Sequence, residues 1–307
     1  MAGFSKIACA LAIGAGLTLA STFTLSARAA DPVSYEKLST EKGPALVGLK
    51  FLLKITAPAD MGGNQERQME ASGLMIESTG LVLCSNQTVG GNQGNLPPGV
   101  TIAPTDMKII IGEDSEGVPA KVIARDSELD LAWIRIDKPS DKGYTSVNLK
   151  DAPTVKLGDS LMFLDRMGNY YDRSVYIGEL KTSAILKKPR NLIQPAGLVF
   201  SLCSPVFTSS GQFVGVTLMQ APSRDEMQGA TNQADMMYGR LPKILPAAEL
   251  SKATTRAIEN AAKEAAEAEK AGKEEKKDEK KADAPKAPEA PKAPEAPKEM
   301  PKDAPKK

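Results

Sequence analysis

The chain has 307 residues, enough for one or two domains, and sets 39 Lys and Arg against 38 Asp and Glu for a formal net charge of +1. That balance gives no basic excess that would argue for a nucleic-acid partner. No histidine occurs anywhere, which excludes chemistry that relies on imidazole as proton carrier or metal ligand.

In chain order, residues 1–30 read as a secretory signal. Lys6 stands in a short n-region, an apolar run extends from Ile7 to Leu25, and Ala27-Arg28-Ala29 is a small-x-small cleavage signal. Cleavage is expected after Ala29 or Ala30; the alternative is an uncleaved anchor, against which Gly14, Gly16, Ser21 and Thr22 dilute the run. Cys9 lies too near the start for a lipidation site, so an exported chain keeps Cys84 and Cys203, a pair that an oxidising compartment can bridge but not a disulfide framework. Residues 31–46 are polar and read as an arm or short helix. Residues 48–55 (GLKFLLKI) are the first convincing strand, and residues 56–70 read as a loop by Pro58, Gly62 and Gly63. SGLMI at 72–76 and LVLCS at 81–85, joined at Gly80, give a hairpin signal. Residues 90–106 read as a long Gly/Asn/Pro loop. Short apolar stretches at 108–111, 118–124 and 131–136 (LAWIRI) then recur with turn residues between them, the mark of an all-β sandwich or barrel.

Further strands are expected at 161–164, within 170–186, at 198–207 and at 212–219, and a loop at 223–238. Trp133 reads as core, and the group Met219, Met227, Met236 and Met237 as an adaptable apolar surface or core filling. A helix is expected from about Ala247 past Glu269. From Ala261 onward the chain is Ala, Lys, Glu, Asp and Pro apart from Gly272 and Met300. Such a segment cannot bury enough apolar surface to offset its ordering entropy. The reading is a charged helix over 251–282 and a disordered tail over 283–307, in which proline at every third position from Ala284 to Lys298 favours polyproline II. The tail is a spacer or a contact with cell wall, membrane surface or a partner.

Four blocks in register carry a resemblance. SGLMI, then GLVLCSNQTV over 80–89; VPAKV with Asp126 and LDLAWIRI over 129–136; KLGD over 156–159; and FSLCSPVF, then GQFVGV over 211–216. Together they resemble the trypsin-fold serine proteases of the HtrA/Deg type over roughly Leu46 to Leu250. The resemblance implies two packed six-stranded β-barrels over 47–250, with a cleft between them. It puts Gln87 at the position of the catalytic histidine, Asp130 at that of the aspartate and Leu202 at that of the nucleophilic serine. Gln87 can hydrogen-bond Asp130 but cannot accept and return a proton, and Leu202 offers no nucleophile. Cys203-Ser204 replaces the glycines of the family's turn, so side chains stand where positive φ aims backbone N–H groups at an oxyanion. Ser201, Cys203 and Ser204 are the alternative nucleophiles, with Lys181, Lys187 or Lys188 as a base near in sequence; a lysine base requires desolvation. Asp130 is then a structural carboxylate, capping backbone amides or pairing with Gln87. The family fold implies a possible Cys84–Cys203 disulfide, the other reading being two buried apolar thiols. Where the family continues into a peptide-binding PDZ domain, this chain runs into the helix and tail.

These readings make the chain an exported, catalytically inactive pseudoprotease, periplasmic or extracellular, that holds a peptide or protein partner. The alternatives are a residual serine-type peptidase with a nonstandard nucleophile and base, or an envelope protein that acts through its tail. No cofactor, metal or nucleic acid is expected; a carboxylate-only calcium site has no loop of the right spacing.

Overall fold

The computed structural model describes residues 32–91, 96–188, 190–219 and 237–282, with side chains to residue 267. The signal segment, the tail, Met227 and Met236 lie outside these. Among the described residues no helix is long and apolar enough to cross a membrane.

Twelve strands close into two antiparallel barrels. The first is built from β1 (Leu46–Thr56), β2 (Gln65–Glu77), β3 (Leu81–Ser85), β4 (Thr101–Ile110), β5 (Val118–Asp126) and β6 (Leu131–Ile136), in the order β1-β2-β3-β6-β5-β4. The second uses β7 (Ser160–Arg166), β8 (Val175–Leu186), β9 (Leu192–Ala196), β10 (Pro205–Thr208), β11 (Phe213–Leu218) and β12 (Lys243–Pro246), in the order β10-β11-β12-β9-β8-β7. The all-β, two-barrel expectation holds.

The strands that read most clearly are those buried on both faces. In β7, Leu161 and Phe163 fill the second barrel with Leu180, Ile193, Val206, Val214 and Ile244. Their neighbours Met162 and Leu164 join the larger core, which also holds the first barrel's interior. A strand pressed between two apolar environments loses its alternation and reads as a continuous apolar run, as SLMFL does.

Two expected loops are strand instead. Gln65 to Glu70 pairs with Ile55 to Lys50, and Thr101 to Thr105 pairs with Thr56 to Leu52 on the other side of β1. These stretches lie mostly in solvent, so their backbone ladders form without an apolar face to announce them. Conversely, 198–204 is not strand; β10 begins only at Pro205, and Leu198 and Phe200 are exposed. Strands β9 and β12 were not expected at all. Each is short and carries a proline, which depresses a strand reading.

Two helices tie the barrels together. Helix α1 (Tyr35–Lys42) is capped by Ser34, whose hydroxyl accepts from Lys37 N–H at 3.1 Å. It buries Leu38 and sits against β8, while Val33 N–H donates to Ser209 O at 2.7 Å; Tyr35 hydroxyl donates to Glu179. The chain therefore crosses the second barrel before entering the first. Helix α2 (Ala247–Ala282) begins where the sequence placed it and lies against β5 of one barrel and β11 and β12 of the other. Ala247, Leu250 and Ala253 are its buried stripe, with Ala257 and Ile258 packed beside them at helical spacing. Trp133, fully buried on β6, donates its indole N–H to Thr254 Oγ1 at 3.1 Å.

Candidate functional site

The site expected at Gln87, Asp130 and Leu202 draws on two turns, one after β3 and one before β10, with Asp130 leading into β6. The first follows β3. Asn86 N–H donates to Asp130 O at 3.0 Å, and Gln87 N–H donates to Asp130 Oδ1 at 2.8 Å. Ser85 hydroxyl donates to Asp130 Oδ2 at 2.6 Å, within the buried interior. Both carboxylate oxygens are thus occupied from the β3 end. Asp130 itself takes a left-handed backbone, φ 53, a conformation Asp tolerates better than most residues. Burial pushes its carboxyl above the usual range, and the Ser85 and Gln87 donors pull it back down. Asp130 caps a backbone amide, one of the two structural roles expected for it; the Gln87 partner is its main-chain N–H, and the Gln87 side chain is exposed.

Arg125 fixes the same turn from below. Its Nη1 donates to Asn86 Oδ1 at 2.7 Å and its Nη2 to Val89 O at 3.0 Å. Gly91 packs so closely on the Asn86 side chain that a Cβ there would overlap it. Sequence reading missed Ser85, Asn86 and Arg125, because their roles rest on contacts some forty residues apart in the chain.

The second turn carries Leu202, Cys203 and Ser204. Cys203 adopts φ 62, the left-handed region in which glycine is at ease and a side chain is strained. Its N–H donates to Thr217 O at 2.7 Å, and Ser204 N–H donates to Thr217 Oγ1 at 3.0 Å. Thr217, wholly buried on β11, also donates its hydroxyl to Ser201 O at 2.9 Å. The amides of Cys203 and Ser204 are committed to β11 rather than aimed outward. The turn forms despite its side chains, with Thr217 as its anchor. Leu202 is half-buried.

The alternative nucleophiles are placed as follows. Ser204 is buried and its hydroxyl lies 3.4 Å from Ser201 O as donor. Ser201 lies beside Asp165, a carboxyl that burial raises above its usual range and the Ser201 hydroxyl draws back down. Lys181, Lys187 and Lys188 are all exposed, which is the reverse of what a lysine base requires. Buried Lys243 spends its ammonium on three carbonyls, those of Tyr238 (3.0 Å), Gly239 (3.2 Å) and Leu241 (2.9 Å).

Cys84 and Cys203 are free thiols here, both buried. The bridge implied by the resemblance is not formed in the structure. Burial raises Cys84 to about 12, against the pull of Arg125, and holds Cys203 well above its usual range, with Cys84 and Asp130 adding to that. Both thiols therefore stay protonated and behave as small apolar groups. Among the described residues no cluster of His, Cys, Asp and Glu is placed to hold a metal ion.

Comparison with known proteins agrees with the two-barrel fold. Residues 71–216 match the trypsin-like peptidase domain family. A probable periplasmic serine endoprotease, DegP-like, of Pseudomonas putida is 23% identical over 180 residues, covering 52% of this chain and 34% of that protein. A protein of the same description from Pseudomonas savastanoi pv. phaseolicola is 23% identical over 210 residues, covering 59% of this chain and 40% of its own length. The chain spans well under half the length of either relative.

Proposed function

We propose, for a chain whose residues 71–216 match the trypsin-like peptidase domain family, that it is an exported binding module which retains the family's cleft and has lost its hydrolytic chemistry. The observation that carries this reading is the absence of any histidine from the sequence. A serine hydroxyl needs a base that accepts and then returns its proton. Gln87 has no such capacity, and Asp130 has both oxygens engaged by Ser85 and the Gln87 amide. Leu202 brings an apolar side chain to the place where the family has its nucleophile. What persists is the scaffold: two closed barrels, the capped turn after β3 and the turn anchored on Thr217. A scaffold of this kind holds an extended peptide against the walls of its cleft without cutting it. The signal-like start of the sequence and the periplasmic description of the relatives support an envelope location.

The test is to incubate the full chain with fluorescently labelled, unfolded casein and follow both anisotropy and fragment release. Binding without fragments is the expected result. Fragments that accumulate with enzyme concentration contradict the loss of hydrolysis, and unchanged anisotropy contradicts the binding role.

A second reading rests on one contact. The Ser201 hydroxyl lies beside Asp165, whose buried carboxyl holds its proton more tightly than usual although that hydroxyl pulls the other way. A carboxylate of raised basicity beside a hydroxyl is a nonstandard nucleophile and base. On that reading casein is cut slowly, and Ser201→Ala stops it while Ser204→Ala does not.

A further inference from the structure

Away from Gln87, Asp130 and Cys203, a groove of about 130 Å³ opens between the barrels. Its floor is Gly48 and Leu49 of β1 and Ala71 and Ser72 of β2; its far wall is the β7–β8 hairpin. Ile110 and Met167 give it apolar sides, and its charged lining is Arg166, Arg173 and Glu70. Two guanidinium groups therefore face one carboxylate. Glu70 lies 3.4 Å from Arg173 Nη2 and is itself partly exposed. The Arg166 guanidinium has no carboxylate among its described partners; only the residue's backbone N–H meets one, donating to Asp165 Oδ1 at 2.7 Å. Its Nη1 donates to Arg173 O at 3.0 Å, its Nη2 to Gly43 O at 3.2 Å, and its Nε is buried with no acceptor. A guanidinium carries five N–H donors, so this one is under-supplied with acceptors. Burial and the like charge of Arg173 both disfavour its cationic form, which an incoming anion would relieve.

The hairpin is strained in a way that presents this charge. Asp172 and Arg173 both adopt left-handed backbone, φ 50 and 51, at the centre of a turn closed by Ser174 N–H to Tyr171 O at 3.0 Å. That turn favours Asn-Gly, and a long cationic side chain in the glycine position is held there at a cost. The same hairpin offers open space at Gly168, where a Cβ meets no atom within 4 Å.

We propose that this groove is a peptide-carboxylate site, with Arg173 and Arg166 receiving the carboxylate and Ile110 and Met167 receiving the neighbouring apolar side chain. The occupant is a partner peptide, because the chain's own C-terminal segment is rich in lysine and lacks a run of apolar residues. None of the groove's residues takes part in the turns at Gln87 and Cys203; its link to that region is the Arg166 N–H, which donates to Asp165 Oδ1.

The test uses the full chain and three probes by calorimetry: acetyl-Ala-Ala-Leu with a free carboxylate, the same peptide as its amide, and acetyl-Ala-Asp-Leu-Ala-amide. At least one carboxylate probe is expected to bind about tenfold or more tightly than the amide, as charge-assisted pairing with arginine gives. Which one binds tells a chain terminus from an acidic side chain. Arg173→Gly suits the turn's backbone, so it is expected to unfold no earlier than the native chain while weakening the probe about tenfold or more. Gly168→Phe fills the groove without changing charge and is expected to have the same effect on binding. Equal binding of the amide, no carboxylate binding at millimolar concentration, or binding that survives both variants would overturn the proposal. Survival in both variants would move the peptide to the cleft and leave the casein reading standing.

Discussion

Gly215→Ala is expected to prevent the second barrel from closing. Gly215 lies on β11 and pairs with Pro246 of β12. A Cβ there would fall 2.8 Å from the carbonyl carbon of Leu245, 3.1 Å from Pro246 Cα and closer still to Leu245 O. All three are backbone atoms, so no rotamer change relieves the overlap. The strands must separate, and that undoes the Val216–Leu245 and Thr217–Ile244 pairings beside it. Thr217 also anchors the turn of Cys203 and Ser204, so the damage reaches the candidate site. The cost is expected to exceed about 4–5 kcal/mol, the range reserved for specific structural failures. In a domain of this size that lowers Tm by about 10 °C or more. Gly168→Ala is the control. With φ −65 and free space around it, it is expected to stay within about 0.5 kcal/mol of the native chain. Thermal unfolding followed by circular dichroism checks both, and equal melting of the two variants would contradict the argument.

Trp133→Ala is expected to be the costliest change in the first barrel. The indole is fully buried between the barrel wall and α2. Its loss removes about 3–5 kcal/mol through the cavity left behind. It also strips the buried Thr254 hydroxyl of its donor, and an unsatisfied buried polar group costs about 1–3 kcal/mol more. Trp133→Phe keeps most of the volume and loses only the hydrogen bond, so it is expected to cost about 1–2 kcal/mol. Because α2 touches both barrels, limited proteolysis separates the two cases. The alanine variant is expected to release α2 before the barrels unfold. If the two variants melt together, the indole is not the packing element described.

What was legible in the sequence follows from where each side chain goes. LVLCS, LAWIRI, SLMFL and FVGVTL announced themselves because both faces of those strands are buried. Gln65 to Glu70 did not, because its ladder with β1 stands in water and its residues carry no pattern. The stretch 198–204 misled for the opposite reason. It is apolar, but Leu198 and Phe200 face solvent and the backbone turns to meet Thr217. At the site, residue types alone gave the missing imidazole and the side chains at Leu202 and Cys203. They did not give how Asp130 is used. That depends on Ser85, which meets it only when β3 and β6 pair. Nor could Arg125 be read as the clamp of the Asn86–Val89 turn, since its two acceptors lie across a strand pair. The groove at Arg166 and Arg173 was beyond sequence reading altogether, because β1, β2 and the β7–β8 hairpin meet there only after both barrels have closed.

A scaffold that holds a peptide without cutting it, as proposed, has no activated nucleophile. Fluorophosphonate labelling of the folded full-length chain, against a heat-denatured sample, tests it most directly, because the reagent reports an activated serine whatever its substrate. The expected result is labelling no greater than in the denatured control. Labelling confined to the folded protein and lost in Ser201→Ala would contradict it, and would make Ser201 and Asp165 the working pair of a peptidase.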